Sequence, residues 1–120
     1  MKDDTKTPWI IGITASAGGL EAITALVHAL PRQTGASYVI AQHMLPSHKS
    51  LMFVLVARET ELPVEELGAD TLPAPDTIYV TPPNRDVIYH QGMLRLSEPA
   101  GRAGSPKPSA DRLFYSLADE

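Results

Sequence analysis

The chain contains no cysteine. Disulfides, thiolate metal sites and cysteine nucleophiles are excluded together, and the absence accords with a cytoplasmic home. There is no basic block, and with a formal net charge of -4 no nucleic-acid surface is expected. No apolar run approaches the roughly 20 residues needed to cross a bilayer. The opening "MKDDTKTPWIIGIT" carries two adjacent aspartates and lacks the longer apolar stretch and cleavage site of a secretory signal. A soluble chain without membrane insertion is therefore expected. His28, His48 and His90 show no metal-ligand spacing, and neither a metal nor a cofactor is predicted.

What is present is the composition of an ordinary globular domain: 120 residues, 43% hydrophobic and 20% charged, enough for one apolar core. Trp9 to Ile13 reads as a fully buried strand, short, β-branched and apolar on both faces. From Gly18 the period changes to that of a helix, with Leu20, Ile23, Leu26, Val27 and Leu30 on one face and Pro31 closing it. "SYVIAQ", Ser37 to Gln42, is a second buried strand, so the first two strands should be parallel neighbours in a βαβ unit.

A second helix is predicted after Ser47, its candidate cap, with Leu51, Val54, Leu55 and Arg58 along one side. "LPVEEL" and Thr77 to Thr81 read as strands, and "DVIYHQGMLRL" as a hairpin turning at Gln91-Gly92. Ser97 to Ser109 is a Pro- and Gly-rich loop, after which Ser109 caps a last helix with Leu113, Phe114 and Leu117 inward. The predicted fold is α/β, three-layered, a mainly parallel sheet flanked by helices with a β-hairpin. Its last helix runs to Glu120 without a stop signal, so the domain is expected to be truncated at its carboxyl end.

Two residues carry candidate chemistry. Ser16 follows the first strand in a cluster of small residues, Ala15, Ala17, Gly18 and Gly19, at the sheet edge where open α/β folds bind ligands. Helix N–H groups there can hold an anion or a developing oxyanion. His43 follows the second strand, 43 − 16 = 27 residues on, and parallel neighbours lie about 4.8 Å apart. An imidazole so placed can take the serine proton. Tight packing alone also produces small-residue turns, and a strand-end histidine is often only a polar loop residue. "TASAG" is not a G-x-S-x-G elbow, since Thr14 replaces the first glycine, and "GITASAGG" lacks the dinucleotide-binding spacing. Nucleophile, anion cradle and plain tight turn all remain open on pattern alone.

"IGITASAGGLEAI", "VIAQHM", "LPAPDTIYVTPPNRDV" and "KPSADRLFYSLA" resemble, in that order, successive signature segments of the chemotaxis protein-glutamate methylesterases of the CheB type. The resemblance spans Trp9 to Ala118, leaving 1–8 as a tail and 9–120 as an incomplete methylesterase domain. It implies an α/β hydrolase of glutamate methyl esters, in many members also a glutamine deamidase, acting on the cytoplasmic helices of methylated chemoreceptors in sensory signalling. By position Ser16 resembles the nucleophile and His43 the base of a Ser-His-Asp triad. Ala17, Gly18 and Gly19 are the candidate oxyanion turn.

Three departures accompany the resemblance. The triad aspartate of the family lies in a later Gly-Met-Gly-x-Asp-Gly segment that these residues lack, and Asp111 belongs to a different segment. The 120-residue chain alone is thus expected to be weakly active or inactive. Thr14 stands where a glycine is usual and is expected to strain or reposition the turn. Asp86 stands where many relatives carry histidine, so the substrate contacts of that position are not carried over to it. No receiver domain fits ahead of the first strand, which points to a bare esterase or to a hybrid with a methyltransferase fused downstream. The alternative is an inactive esterase-like binding or scaffold module.

Overall fold

The structure is a computed structural model that describes residues 9–14, 19–41, 51–82, 85–97 and 110–119. The described elements are β1 (Ile10–Ile13), α1 (Leu20–His28), β2 (Ser37–Ile40), α2 (Leu51–Arg58), β3 (Val64–Glu66), β4 (Thr77–Val80), β5 (Asp86–His90), β6 (Met93–Ser97) and α3 (Ala110–Asp119). β1 to β4 form a parallel sheet in the order β1-β2-β4-β3. β5 and β6 pair antiparallel through a turn at Gln91 and Gly92. Both turn residues have positive φ, 54° and 80°, as a two-residue hairpin turn requires.

The period-2 alternation of the central strands divides the core into two layers. Tyr38 and Ile40 of β2, with Ile78 and Val80 of β4, pack against Ile23 and Val27 of α1 and Met52 and Val56 of α2. Val39, Ala41 and Tyr79 face the opposite way, against Val87 and Leu94 of the hairpin and Leu113 of α3. The three layers are therefore α1 and α2, the parallel sheet, and the hairpin with α3. Both central strands are buried along their whole length, as continuous apolar runs in a parallel sheet should be.

Three expectations about burial need correction. β1 is not fully buried: it ends the strand order, and Ile11 is 43% exposed while Trp9 beside it is 82% exposed. The inward face of α2 is also displaced by one or two positions, with Met52 and Val56 buried and Val54 47% exposed. In α1 the apolar stripe is narrower than predicted, because Leu26 points outward while Ile23 and Val27 are buried. The side chain of Leu51 and the candidate caps Ser47 and Ser109 lie outside the described residues.

α3 is fastened at three points. On β1, a Cβ placed on Gly12 would sit 2.7 Å from Phe114 Cε1 and 3.3 Å from Leu113 Cδ2, so the helix approaches the strand as closely as glycine allows. On the hairpin, Arg112 Nη1 meets the fully buried Asp86 carboxylate at 2.9 Å and also donates to Ser97 Oγ at 3.1 Å. Further along, Ser116 Oγ accepts from the Tyr89 N–H at 2.9 Å and donates to the Leu113 carbonyl at 2.7 Å.

Removing the cation from this latch leaves a buried carboxylate without its ion-pair partner, so Arg112→Met is expected to cost about 3 kcal/mol in urea unfolding. A loss below about 1 kcal/mol would contradict the latch. Gly12→Val is expected to cost about 1–3 kcal/mol through overpacking. Adding Phe114→Ala, which removes the nearest obstructing atoms, should recover part of that loss; strictly additive losses would show that α3 does not press on β1.

Candidate active site

The carboxyl edge of the sheet is level. Ile13 of β1, Ile40 of β2 and Val80 of β4 stand in one register row. The ladder continues one residue further, the Ala41 N–H donating to the Ile13 carbonyl and the Thr81 N–H to the Ile40 carbonyl, each at 3.0 Å. Thr14 adds a side-chain tie, its Oγ1 donating to the Ala41 carbonyl at 3.0 Å. Thr14 thus joins the ends of β1 and β2, while the turn it was expected to strain or reposition, 15–18, lies outside the described residues.

α1 begins at the same edge. Gly19 is its N-cap, the Ile23 N–H donates to the Gly19 carbonyl at 3.0 Å, and among the described residues no side chain caps the helix. An α-helix leaves its first N–H groups without intrahelical acceptors, and the macrodipole makes that end favourable for negative charge. Of the predicted site residues, Gly19 is thereby placed at the head of α1, half-buried. Ser16, Ala17, Gly18 and His43 lie outside the described residues, between elements whose ends are fixed.

Asp86 sits at the head of β5. Its carboxylate has no solvent exposure and is held by Arg112, so it braces the hairpin against α3 rather than facing a ligand. Sequence reading had no sign of this, because the two residues are 26 positions apart and meet only through tertiary packing. His28 lies at the far end of α1, beside Glu59 at 3.5 Å, and His90 is exposed at the end of β5. Among the described residues no group of three or more His, Asp or Glu could hold a metal ion.

Two further features border the edge. Beyond the carboxyl end of β3, an open recess of about 650 Å³ is lined by Gly68, Ala69, Asp70, Arg85, Leu96 and Ser97. Between it and β2 stands Thr81, fully buried, with Oγ1 lacking any hydrogen-bond partner among the described residues. A threonine ending a strand looks like an ordinary β-former, so nothing in the sequence singled it out.

Comparisons with known proteins bear on the same region. The chain is 34% identical over 113 residues to protein-glutamate methylesterase/protein-glutamine glutaminase 2 of Burkholderia lata, covering 93% of this chain and 33% of that protein. It is 29% identical over 111 residues to the protein-glutamate methylesterase FrzG of Myxococcus xanthus, covering 92% of this chain and 33% of that one. It therefore spans about a third of the length of these relatives. The crystal structure of the Thermotoga maritima CheB methylesterase catalytic domain shares the fold, with a TM-score of 0.79 at 20% identity over 95% of this chain and 62% of that one. The CheB methylesterase family model matches residues 11–120, from the second residue of β1 to the last residue of the chain. On that match the chain belongs to the CheB methylesterase family.

Proposed function

We propose that this chain is the part of a protein-glutamate methylesterase that supplies the nucleophile and the base, hydrolysing glutamate methyl esters on the cytoplasmic helices of chemoreceptors. The observation that carries the reading is the register of Ile13 opposite Ile40 on adjacent parallel strands. Ser16 follows Ile13 by 16 − 13 = 3 residues, and His43 follows Ile40 by 43 − 40 = 3. Three residues of chain span at most about 11 Å, so both candidates are tethered to one short stretch of the sheet edge. The start of α1 at Gly19, with no side-chain cap among the described residues, favours negative charge beside them.

In this mechanism Ser16 Oγ attacks the ester carbonyl carbon while the imidazole of His43 accepts its proton. The developing oxyanion is stabilised by N–H groups at the Ala17 to Gly19 turn, where losing one donor typically costs about 2.7–4 kcal/mol in the barrier. The imidazolium then protonates the departing oxygen, and methanol leaves an acyl-serine. Water, deprotonated by the same imidazole, cleaves the acyl-enzyme to a glutamate side chain and free serine. A glutamine substrate passes through the same acyl-enzyme with ammonia as the leaving group, in keeping with the double name of the Burkholderia lata relative.

The third member of the triad is expected from polypeptide beyond these residues, together with any fused methyltransferase. Among the described residues no helix is long and apolar enough to cross a membrane, which suits action on the cytoplasmic side of receptors. Without a carboxylate to hold the imidazole, the precedent is a fall of about four orders of magnitude in turnover.

A fluorophosphonate tests the nucleophile directly. The reagent is expected to label Ser16, with no labelling in Ser16→Ala and a rate at least about a hundredfold lower in His43→Ala, the lower range of general-base contributions. Equal labelling rates in wild type and His43→Ala would overturn the mechanism. A protein in which Ser16 takes no reagent, even at the full length of its relatives, would be a scaffold or sensory binding module instead.

A further inference from the structure

The recess beyond the carboxyl end of β3 has firmly held walls. Thr71 and Leu94 exchange backbone hydrogen bonds, each at 2.8 Å, which lace the segment after β3 to β6. Asp70, the acid in the lining, is already committed: Oδ1 accepts the Leu96 N–H at 3.0 Å and Oδ2 pairs with Arg95 at 3.2 Å. The other wall is the open end of the hairpin, where Asp86 pairs with Ser97 and the Asp86 carboxylate is buried against Arg112.

What the lining offers a ligand is therefore donors. Arg85, half-buried, carries a guanidinium whose planar fork matches a carboxylate. Ser97 Oγ accepts from Arg112 Nη1 at 3.1 Å, which leaves its own hydrogen to donate, polarised by the cation behind it. Gly68 and Ala69 keep the floor clear, and a Cβ on Gly68 would meet nothing within 4 Å beyond its chain neighbours.

Position identifies the anion. In the order β1-β2-β4-β3 the tip of β3 stands two strands from that of β2, about 10 Å along the edge where open α/β sheets bind ligands. Seven residues of α-helix advance about 10.5 Å and return to the same face after two turns. A helix laid along this edge thus presents one side chain at the tips of β1 and β2 and a second at the recess. We propose that the recess is a carboxylate subsite for the receptor helix: Arg85 and the Ser97 hydroxyl bind an acidic side chain two turns from the glutamate ester under attack. The identity of the helix rests on the methylesterase reading; the affinity of the recess for a carboxylate does not.

The test is fluorescence anisotropy at low ionic strength with two alanine-rich helical peptides, using a Ser16→Ala background so that no ester is consumed. Both carry a central glutamate methyl ester; one has glutamate seven residues to either side, the other glutamine. The glutamate peptide is expected to bind about fivefold more tightly, the scale of one net hydrogen bond. Arg85→Gln should abolish that preference, and Arg85→Lys, which keeps the charge but not the fork, should retain part of it. Arg58→Gln, which removes the same charge at the end of α2, should leave it intact. No preference in the parent protein overturns the proposal. So does a preference that survives Arg85→Gln, or one lost equally in Arg58→Gln, which marks unspecific attraction. If Ser16 takes no serine reagent while the preference depends on Arg85, the esterase reading falls and the subsite stands; labelling of Ser16 without any preference leaves the enzyme and removes the subsite.

Discussion

The backbone ladder joining β1, β2 and β4 is the constraint on which everything else depends. Parallel pairing fixes Ile13, Ile40 and Val80 in one row, and the next row of hydrogen bonds, through Ala41 and Thr81, carries that alignment to the edge of the sheet. A slip of one residue in β2 would turn Tyr38 and Ile40 from the α1–α2 layer into the hairpin layer and exchange them with Val39 and Ala41. The two-layer core forbids that slip. Packing far from any chemistry thereby sets where the segments bearing Ser16 and His43 leave the sheet.

The second layer is held by a different kind of force. α3 returns after the hairpin and is fixed by close approach at Gly12 and by the Arg112–Asp86 pair. Desolvation of the buried Asp86 carboxylate offsets much of its attraction to Arg112, which is 35% exposed, and leaving that carboxylate without the cation would be costly. The pair therefore specifies where α3 sits more than it strengthens the fold. Asp86 occupies the beginning of β5, so this specification lies close to the carboxyl edge.

Much of this was legible in the sequence. The βαβ unit followed from two short apolar runs separated by one helical period, and the hairpin from Gln91-Gly92 between alternating segments. The relationship to methylesterases followed from four segments in order, and the family match over residues 11–120 agrees. What was not legible depends on contacts between distant parts of the chain. "LMFVLVAR" is apolar on nearly every side, so its own pattern cannot choose between Leu51-Val54 and Met52-Val56; packing against β2 and β4 chose Met52 and Val56. The exposure of Ile11 follows from strand order, which a strand's own residues do not encode. Thr81 looked ordinary because its oddity, a buried hydroxyl with no partner among the described residues, shows only in the folded structure.

The central claim is that Ser16 and His43 share one site at the level edge of β1 and β2. A chain without native cysteines allows a direct measurement. The double variant Ser16→Cys, His43→Cys can be treated with dibromobimane, a short reagent that fluoresces only when both arms have bonded thiols. The account predicts rapid intramolecular bridging in the folded protein and little in either single variant. A double variant that is folded, keeps both thiols reactive towards a monofunctional reagent, and remains dark with dibromobimane would contradict it.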